Sequence, residues 1–421
     1  MTDSTTEREP GSLGCGPLWQ IADDSRSLRQ QVFETVRAAG RIPRIELARS
    51  LGISPASVTA TSSELIASGL IEEVAAGPRV GDFARGRPPV ALGVRGSALY
   101  VAGIKMSDLA HSAVIVDFAG DLVASARMER DGGALALSDL LREAEQVLDN
   151  ALRAANLSRA QISSVGLGIP GIVDNEAGTV FWSPLLHERE LMMRDAFAAI
   201  VGVPVEIDND ANLVTLAELW FGAGRKRREF VVVTIEQGVG MGLVLNHQLY
   251  RGAKGLGMEL GHTIVQLDGA LCRCGKRGCL EAYVADYALV REARTALNLG
   301  NRGVKSPQIL LESLYDHAKA GNQAARAIFG RAGRFLALGL ANVVNIFDPS
   351  LVLLSGERMR YDYLYAEEVL SEMQHMILQK GRPAPTVEIR AWGDLLWARG
   401  AAALALDATT RATFNAEPEA A

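Results

Sequence analysis

Apolar residues fall at helical spacing early in the chain. In SLRQQVFETVRAAG, Leu28, Val32 and Val36 stand four residues apart and Gly40 follows as a C-cap. A second, shorter helix, RIELARSLG, closes at Gly52. Ser54 then caps a third, with Pro55 at its first position and Val58, Leu65 and Ile66 on the inward face. Helix, tight glycine turn, helix is the helix-turn-helix plan, and GLIEEVAAGPRVGDFARGRPPVALGV supplies two strands of a wing. The pattern predicts a winged helix-turn-helix over residues 25–95, behind a polar leader at 1–24 that reads as disordered.

Farther along, β-branched runs alternate with helical segments, which predicts an α/β body. In VPVEIDNDANLVTLAELWFGAG a strand runs into a helix that carries Leu213, Leu216, Ala217 and Trp220 on one face. Open α/β sheets collect ligands at the carboxyl ends of their strands, so Asn209 and Asp210 stand where a small molecule binds. Asp210 serves equally well as a helix N-cap. The apolar stretch AARAIFGRAGRFLALGLANVVNIF fits a core helix or a subunit interface, and residues 411–421 read as a flexible tail.

Composition changes the picture in three ways. At 421 residues, 48% hydrophobic and 22% charged, the chain is that of a soluble protein with a large core in two or three domains. No apolar run of membrane-spanning length stands out, and MTDSTTEREP lacks the plan of a secretory signal, which points to the cytoplasm. Between Ser25 and Arg95 there are ten arginines against six acidic residues, a net charge of +4 in a chain of net −6. A basic head is suited to nucleic acid, with Arg41, Arg44, Arg49 and Arg79 as candidates for phosphate contacts. The third helix offers Ser54, Ala56, Ser57, Thr59, Ala60, Thr61 and Ser63, none able to grip a base edge bidentately, so direct readout is expected to be modest. In RGRPP, Arg85 and Arg87 fit a short arm laid in a narrow minor groove, or a linker stiffened by Pro88 and Pro89.

The cysteines carry the sharpest local chemistry. Of four, Cys15 lies in the leader, whereas Cys272, Cys274 and Cys279 crowd into eight residues with His262 just upstream. Thiolates and an imidazole are the donors that tetrahedral zinc selects, and Gly275 and Gly278 let the chain fold back between them. Four protein ligands leave no open position, so this is a structural Zn2+ site, one per chain.

GLGIPGIVD, DNDANLVTLAELWFGAGR, GMELGH and CRCGKRGCLE together resemble the ROK family of sugar kinases and sugar-responsive repressors, within the actin-like ATPase fold. The likeness covers about the last three quarters of the chain. It implies a two-lobed body over 96–410, with Asn209, Asp210, Glu259, His262 and Glu281 holding sugar hydroxyls and Gly171 close by. By the same likeness His262 serves metal and sugar through its two ring nitrogens, Asp210 takes the place of the phosphotransfer base, and Trp182, Ser183 and His187 stand near sugar substituents. The nucleotide side departs from the family's kinases. Lys105 replaces the first phosphate loop's aspartate and Ser107, Asp108 and Leu109 its small turn; Glu236 and Gln237 enter the second loop; Glu357 and Arg358 follow Gly356. The resemblance therefore implies a repressor, not an enzyme, released from operator DNA by a monosaccharide or a derivative, acting as a homodimer or homotetramer. An active sugar kinase with a DNA-binding head, and a repressor governed by a protein partner such as a transport component, are the rival readings.

Overall fold

The structure, a computed structural model, describes residues 14–18, 26–75, 90–296, 306–356, 367–378, 381, 383–390, 393 and 395–415. The chain divides into two compact units, residues 1–228 with 246–249 and 393–421, and residues 229–245 with 250–392. The head thus shares a unit with the first part of the body.

The three helices of the head are Leu28–Ala39, Arg44–Leu51 and Pro55–Ala67. Local sequence accounts for their ends. Ser27 and Ser54 accept from the backbone N–H three residues on, at 3.3 and 3.0 Å, satisfying donors the helix cannot. Val32, Phe33, Val36, Leu47, Val58 and Leu65 are fully buried between the helices. Leu28 is not: as the first residue of its helix it is 37% exposed. The expected wing strands are Ile71–Ala75 and Val90–Val94, paired antiparallel, with Ile42–Pro43 along the other edge of the second. Arg79, Arg85 and Arg87 lie outside the described residues.

The first unit's body is a mixed sheet in the order Val205–Asn209, Ile162–Ile169, Tyr100–Lys105, Ala110–Asp117, Leu122–Glu129, with the first three parallel. Both faces are covered. Ala102 and Ile104 pack against Leu140, Ala144 and Val147 of the helix Leu137–Ala155. The alternate face meets the helix Leu396–Asn415 so closely that a Cβ on Gly103 would lie 2.1 Å from the Ala398 carbonyl oxygen. Against that last helix packs Asp210–Phe221, which also touches the strands Val205–Asn209 and Ile162–Ile169. Periodicity predicted one buried face for it; instead every residue from Ala211 to Trp220 is buried, because it has packing partners all round.

In the second unit, Val239–Leu245, Phe230–Ile235, Leu351–Ser355 and Thr386–Arg390 lie side by side, the first pair antiparallel and the rest parallel. The helix Gln323–Phe347 does have the length and apolar composition of a membrane span, contrary to the expectation from sequence. Its Phe329, Leu336 and Leu340 are buried in this unit's core with Leu280 and Leu354, which is the packing of a core helix.

Both chain ends correct the sequence reading. Residues 14–18 of the expected disordered leader are bonded into the fold, with Cys15 fully buried. The final helix runs to Asn415 and buries Phe414, past the expected start of the tail at 411. Polar leader composition and a run of small residues hid both, because most of their partners, Trp220 and Arg225 for the leader and Phe33 for Phe414, lie hundreds of residues away.

Candidate functional site

The strand Val205–Asn209 ends where the helix Asp210–Phe221 begins, and the junction is held by side chains. Asn209, not Asp210, is the N-cap: its Oδ1 accepts from the Asn212 N–H at 2.8 Å. Buried Asp208, which sequence reasoning passed over, accepts from the Asn209 N–H and the Asn212 side-chain amide, both at 2.8 Å. Asp210 is thereby free of the capping role, its Oδ1 accepting from the Ala211 N–H at 3.0 Å. Burial pushes its carboxyl above the ordinary carboxylate range, against the pull of the Ala211 N–H and the charge of Lys105. Register puts Lys105 opposite Gly168 on the central strand, with Asp208 opposite the same glycine from the other side. Gly171 turns at φ 125°, and a Cβ there would come 2.2 Å from the Trp182 carbonyl oxygen, so the nearby turn admits only glycine. Trp182 and His187 are exposed, but Ser183 is buried and its hydroxyl accepts from the Leu185 N–H at 3.2 Å.

In the second unit the four expected metal ligands come together. One donor atom each from His262, Cys272, Cys274 and Cys279 lies within 4.8 Å of the others. His262 Nδ1 is 3.6 Å from Cys272 Sγ, and Cys274 Sγ is 3.7 Å from Cys279 Sγ. Zinc bonded to sulfur and nitrogen at its usual lengths needs tetrahedral donors about 3.5–3.8 Å apart, so the donor set fits such an ion. The turn follows from Gly275 and Gly278, at φ 87° and 82°. Burial pushes the Cys279 thiol up to about 12 and raises Cys272 as well, so a divalent cation is what would ionise them. Glu281 is buried beside the cluster. Its Oε2 accepts from the Val239 N–H at 3.3 Å, and Oε1 takes the Tyr287 hydroxyl at 3.3 Å and the Cys272 thiol at 3.6 Å. Tyr287, whose ring carries the Arg273 guanidinium at 4.1 Å, was not visible as a functional residue in the sequence; only its place on the helix after Cys-Leu-Glu signals it. Glu259 stands exposed at the start of the turn that carries His262.

The turn after Tyr100–Lys105 is closed by its own side chains. The Met106 N–H donates to Gly168 and the Ser107 N–H to His111 Nδ1, at 2.8 and 3.1 Å. Buried His111 meets Glu143 at 2.8 Å, Glu143 meets Arg130 at 3.3 Å, and Asp108 accepts from the Gly133 N–H at 2.8 Å. Burial lowers the His111 pKa, consistent with a neutral ring whose Nδ1 accepts. The second glycine run forms the hairpin Phe230–Ile235 to Val239–Leu245. Glu357 and Arg358 lie outside the described residues.

On the head, the third helix exposes Ser54, Ala56, Thr59, Ala60 and Ser63, and Ser57 in part. Thr61 corrects the expectation: it is 7% exposed and packs inward, a quarter turn away from the open face. Its neighbours' hydroxyls are turned back on their own helix, Thr59 to the Pro55 carbonyl and Ser63 to the Thr59 carbonyl, both at 2.8 Å. Arg44 is committed within the head, donating to Ser62 at 3.1 Å and paired with Glu73 at 2.9 Å. Arg41 and Arg49 remain exposed.

A sequence model of the ROK family matches residues 111–408. The chain belongs to the ROK family. A model of winged helix-turn-helix DNA-binding domains matches residues 26–72, which makes this a ROK protein with a DNA-binding head. It is 28% identical over 351 residues to the xylose repressor of Caldicellulosiruptor bescii, covering 80% of this chain and 85% of that one. It is 30% identical over 331 residues to the DNA-binding transcriptional repressor Mlc of Escherichia coli, covering 77% and 79%. A crystal structure of a ROK family transcriptional regulator, a homolog of Mlc, superposes at TM-score 0.73 with 24% identity over 91% of this chain and 96% of that one.

Proposed function

We propose that this ROK protein is a DNA-binding repressor that releases its operator when a monosaccharide or a derivative binds. The observation that carries the reading is the pairing of a winged head with an ordered Asn209–Asp210 strand end in a body whose first phosphate-loop amides bond inside the protein. The sugar's hydroxyls bond to Asn209 and Asp210, with Gly171 shaping a turn nearby, and the likeness to the family adds Glu259, His262 and Glu281 as ligands. Asp210 and Glu281 accept, while amide and imidazole do either. With Nε2 left for sugar, His262 Nδ1 and the Cys272, Cys274 and Cys279 thiolates would hold a resident Zn2+. It supplies rigidity to the loop that carries His262 and leads to Glu281. The protein acts in the cytoplasm as a homodimer or homotetramer on palindromic DNA.

Phosphotransfer is not its activity. A phosphate cradle needs open backbone N–H donors, and those of Met106 and Ser107 are taken, while Asp108 adds a like charge beside any polyphosphate. Glucokinases also match this chain, and Asp210 stands in the place of a base, so an active kinase with a DNA head is the second reading. A thermal-shift panel of sugars with and without ATP and magnesium, followed by operator shift assays, separates the two. One sugar raises Tm and weakens operator binding, and ATP changes neither; ATP turnover with that sugar, or no sugar response at all, sinks the proposal.

The head reads DNA through methyl groups. With no bidentate donor on the third helix, Ala56, Ala60 and the Thr59 methyl are its base-facing chemistry, suited to thymine C5-methyls, while Arg85 and Arg87 enter a minor groove and Arg41 and Arg49 hold phosphates. In an operator selected from random duplexes, replacing one contacted thymine by uracil weakens binding about four-fold, the worth of one buried methyl at about 0.8 kcal/mol. Uracil tolerated at every position would remove this mode of readout.

A further inference from the structure

Arg37, on the first helix of the head, is 4% exposed, yet no carboxylate pairs with it among the described residues. Its guanidinium lies 5.2, 5.9 and 4.7 Å from the ring centroids of Phe33, Phe118 and Trp220, and donates to Thr410 Oγ1 at 2.7 Å. Its Nε has no acceptor. A buried cation held by ring faces and one hydroxyl is costly to keep and sensitive to ring position, because cation–π attraction depends on a close approach to the face. The rings come from three places. Phe33 belongs to the head, Phe118 follows a central strand of the first unit, and Trp220 sits at the end of the helix Asp210–Phe221.

That helix links two sites. At its first residue stands Asp210, and about 15 Å along, at 1.5 Å per residue, Trp220 forms the Arg37 seat. The seat is also tied at the backbone. The Cys15 N–H donates to the Arg37 carbonyl at 3.1 Å, the Gly16 N–H to the Trp220 carbonyl at 2.8 Å, and Arg225 Nε to the Gly16 carbonyl at 3.0 Å. The last helix closes the seat through Thr410 and through Phe414, whose ring centroid is 5.3 Å from that of Phe33.

We propose that Arg37 is the positioning residue that couples the effector site to the DNA-binding head: a shift of the Asp210–Phe221 helix on sugar binding moves Trp220 under the guanidinium and alters how the head is held. The proposal rests on the reading of Asp210 as a sugar ligand. The head helix is gripped at its C-terminal end by the 14–18 segment, so a displaced Arg37 changes its angle, and with it the fit of two heads to paired half-sites.

The test uses the full chain, an operator selected from random duplexes and the sugar found by thermal shift. Operator Kd without sugar, sugar Kd, and the ratio of operator Kd with and without sugar are measured for the wild type, Arg37→Met, Thr410→Val and Asp210→Asn. In Arg37→Met the first two stay within about three-fold of wild type, while the ratio, commonly about 5- to 150-fold in coupled sites, falls below about two-fold. Thr410→Val lowers the ratio less. A structural role for Arg37 would lower Tm and leave the ratio alone. An undiminished ratio in Arg37→Met overturns the coupling; if that variant does not fold, an undiminished ratio in both Thr410→Val and Trp220→Leu does so. A ratio lost in Arg37→Met together with a sugar Kd unchanged in Asp210→Asn removes the sugar-ligand reading alone, and a wild type without any sugar response removes both.

Discussion

Asp210→Asn raises the sugar Kd about 10- to 100-fold and leaves the operator occupied at sugar concentrations that release it from the wild type. The substitution keeps the shape of a side chain set at a strand end and removes its charge. A hydrogen bond to a charged group contributes about 1.5–3 kcal/mol, and the expected loss is that size. Stability should move the other way or not at all. Burial raises the Asp210 pKa, so its ionised form is disfavoured in the folded state, and the group's contribution to stability falls as pH rises through the raised value. Asparagine removes that penalty, so Tm at neutral pH holds or rises. Sugar binding has the opposite sign in pH. It needs the carboxylate, and in the wild type it weakens on acidification at a higher pH than an ordinary aspartate would set, a dependence the variant lacks. Isothermal titration at several pH values measures this, and an unchanged sugar Kd in Asp210→Asn would remove Asp210 from the site.

Stripping the metal has the second large effect. If the Cys₃His cluster holds the proposed zinc, the expected result is one zinc per purified chain and a Tm lowered by about 10 °C by either a strong chelator or Cys279→Ser, as a loss of roughly 3 kcal/mol does in a unit of this size. The sugar response disappears with it, because the loop that sets His262, and the cluster that borders Glu281, lose their brace. Operator binding without sugar persists, since the head lies in the other unit. Proton release on zinc return is measurable at neutral pH, where the buried Cys272 and Cys279 thiols are otherwise protonated. Metal analysis that finds no zinc, together with a Tm indifferent to chelator, would sink this expectation.

The two effects concern residues whose roles were open to different degrees in the sequence. The clustering of His262 with the three cysteines was legible because donor type and spacing lie within eighteen residues, and a short loop with two glycines has few ways to close. The helix-turn-helix was legible for the same reason: Ser54, Pro55 and Gly52 act on their own neighbours, and the caps form as local chemistry requires. The Asn209–Asp210 junction was located correctly but its capping residue was not. Nothing in a linear pattern shows that Asn209 takes the cap while Asp208 supports it. Thr61 looked like its exposed neighbours because Ser, Thr and Ala carry no hydropathy signal of burial.

Local chemistry, then, determined on its own the winged head, the strand-to-helix turn at Asn209 and the Cys₃His cluster, since each depends on residues a few positions apart. Only the tertiary structure decided that the helix after Asp210 is buried on all sides, that residues 14–18 are strapped to Trp220 and Arg225, and that Arg37 reaches Thr410. Those contacts join positions about two hundred to almost four hundred residues apart. Their energies come from burial and ring geometry that exist only once the sheet and its two covering layers are assembled, and no periodicity along the chain encodes which distant face will arrive.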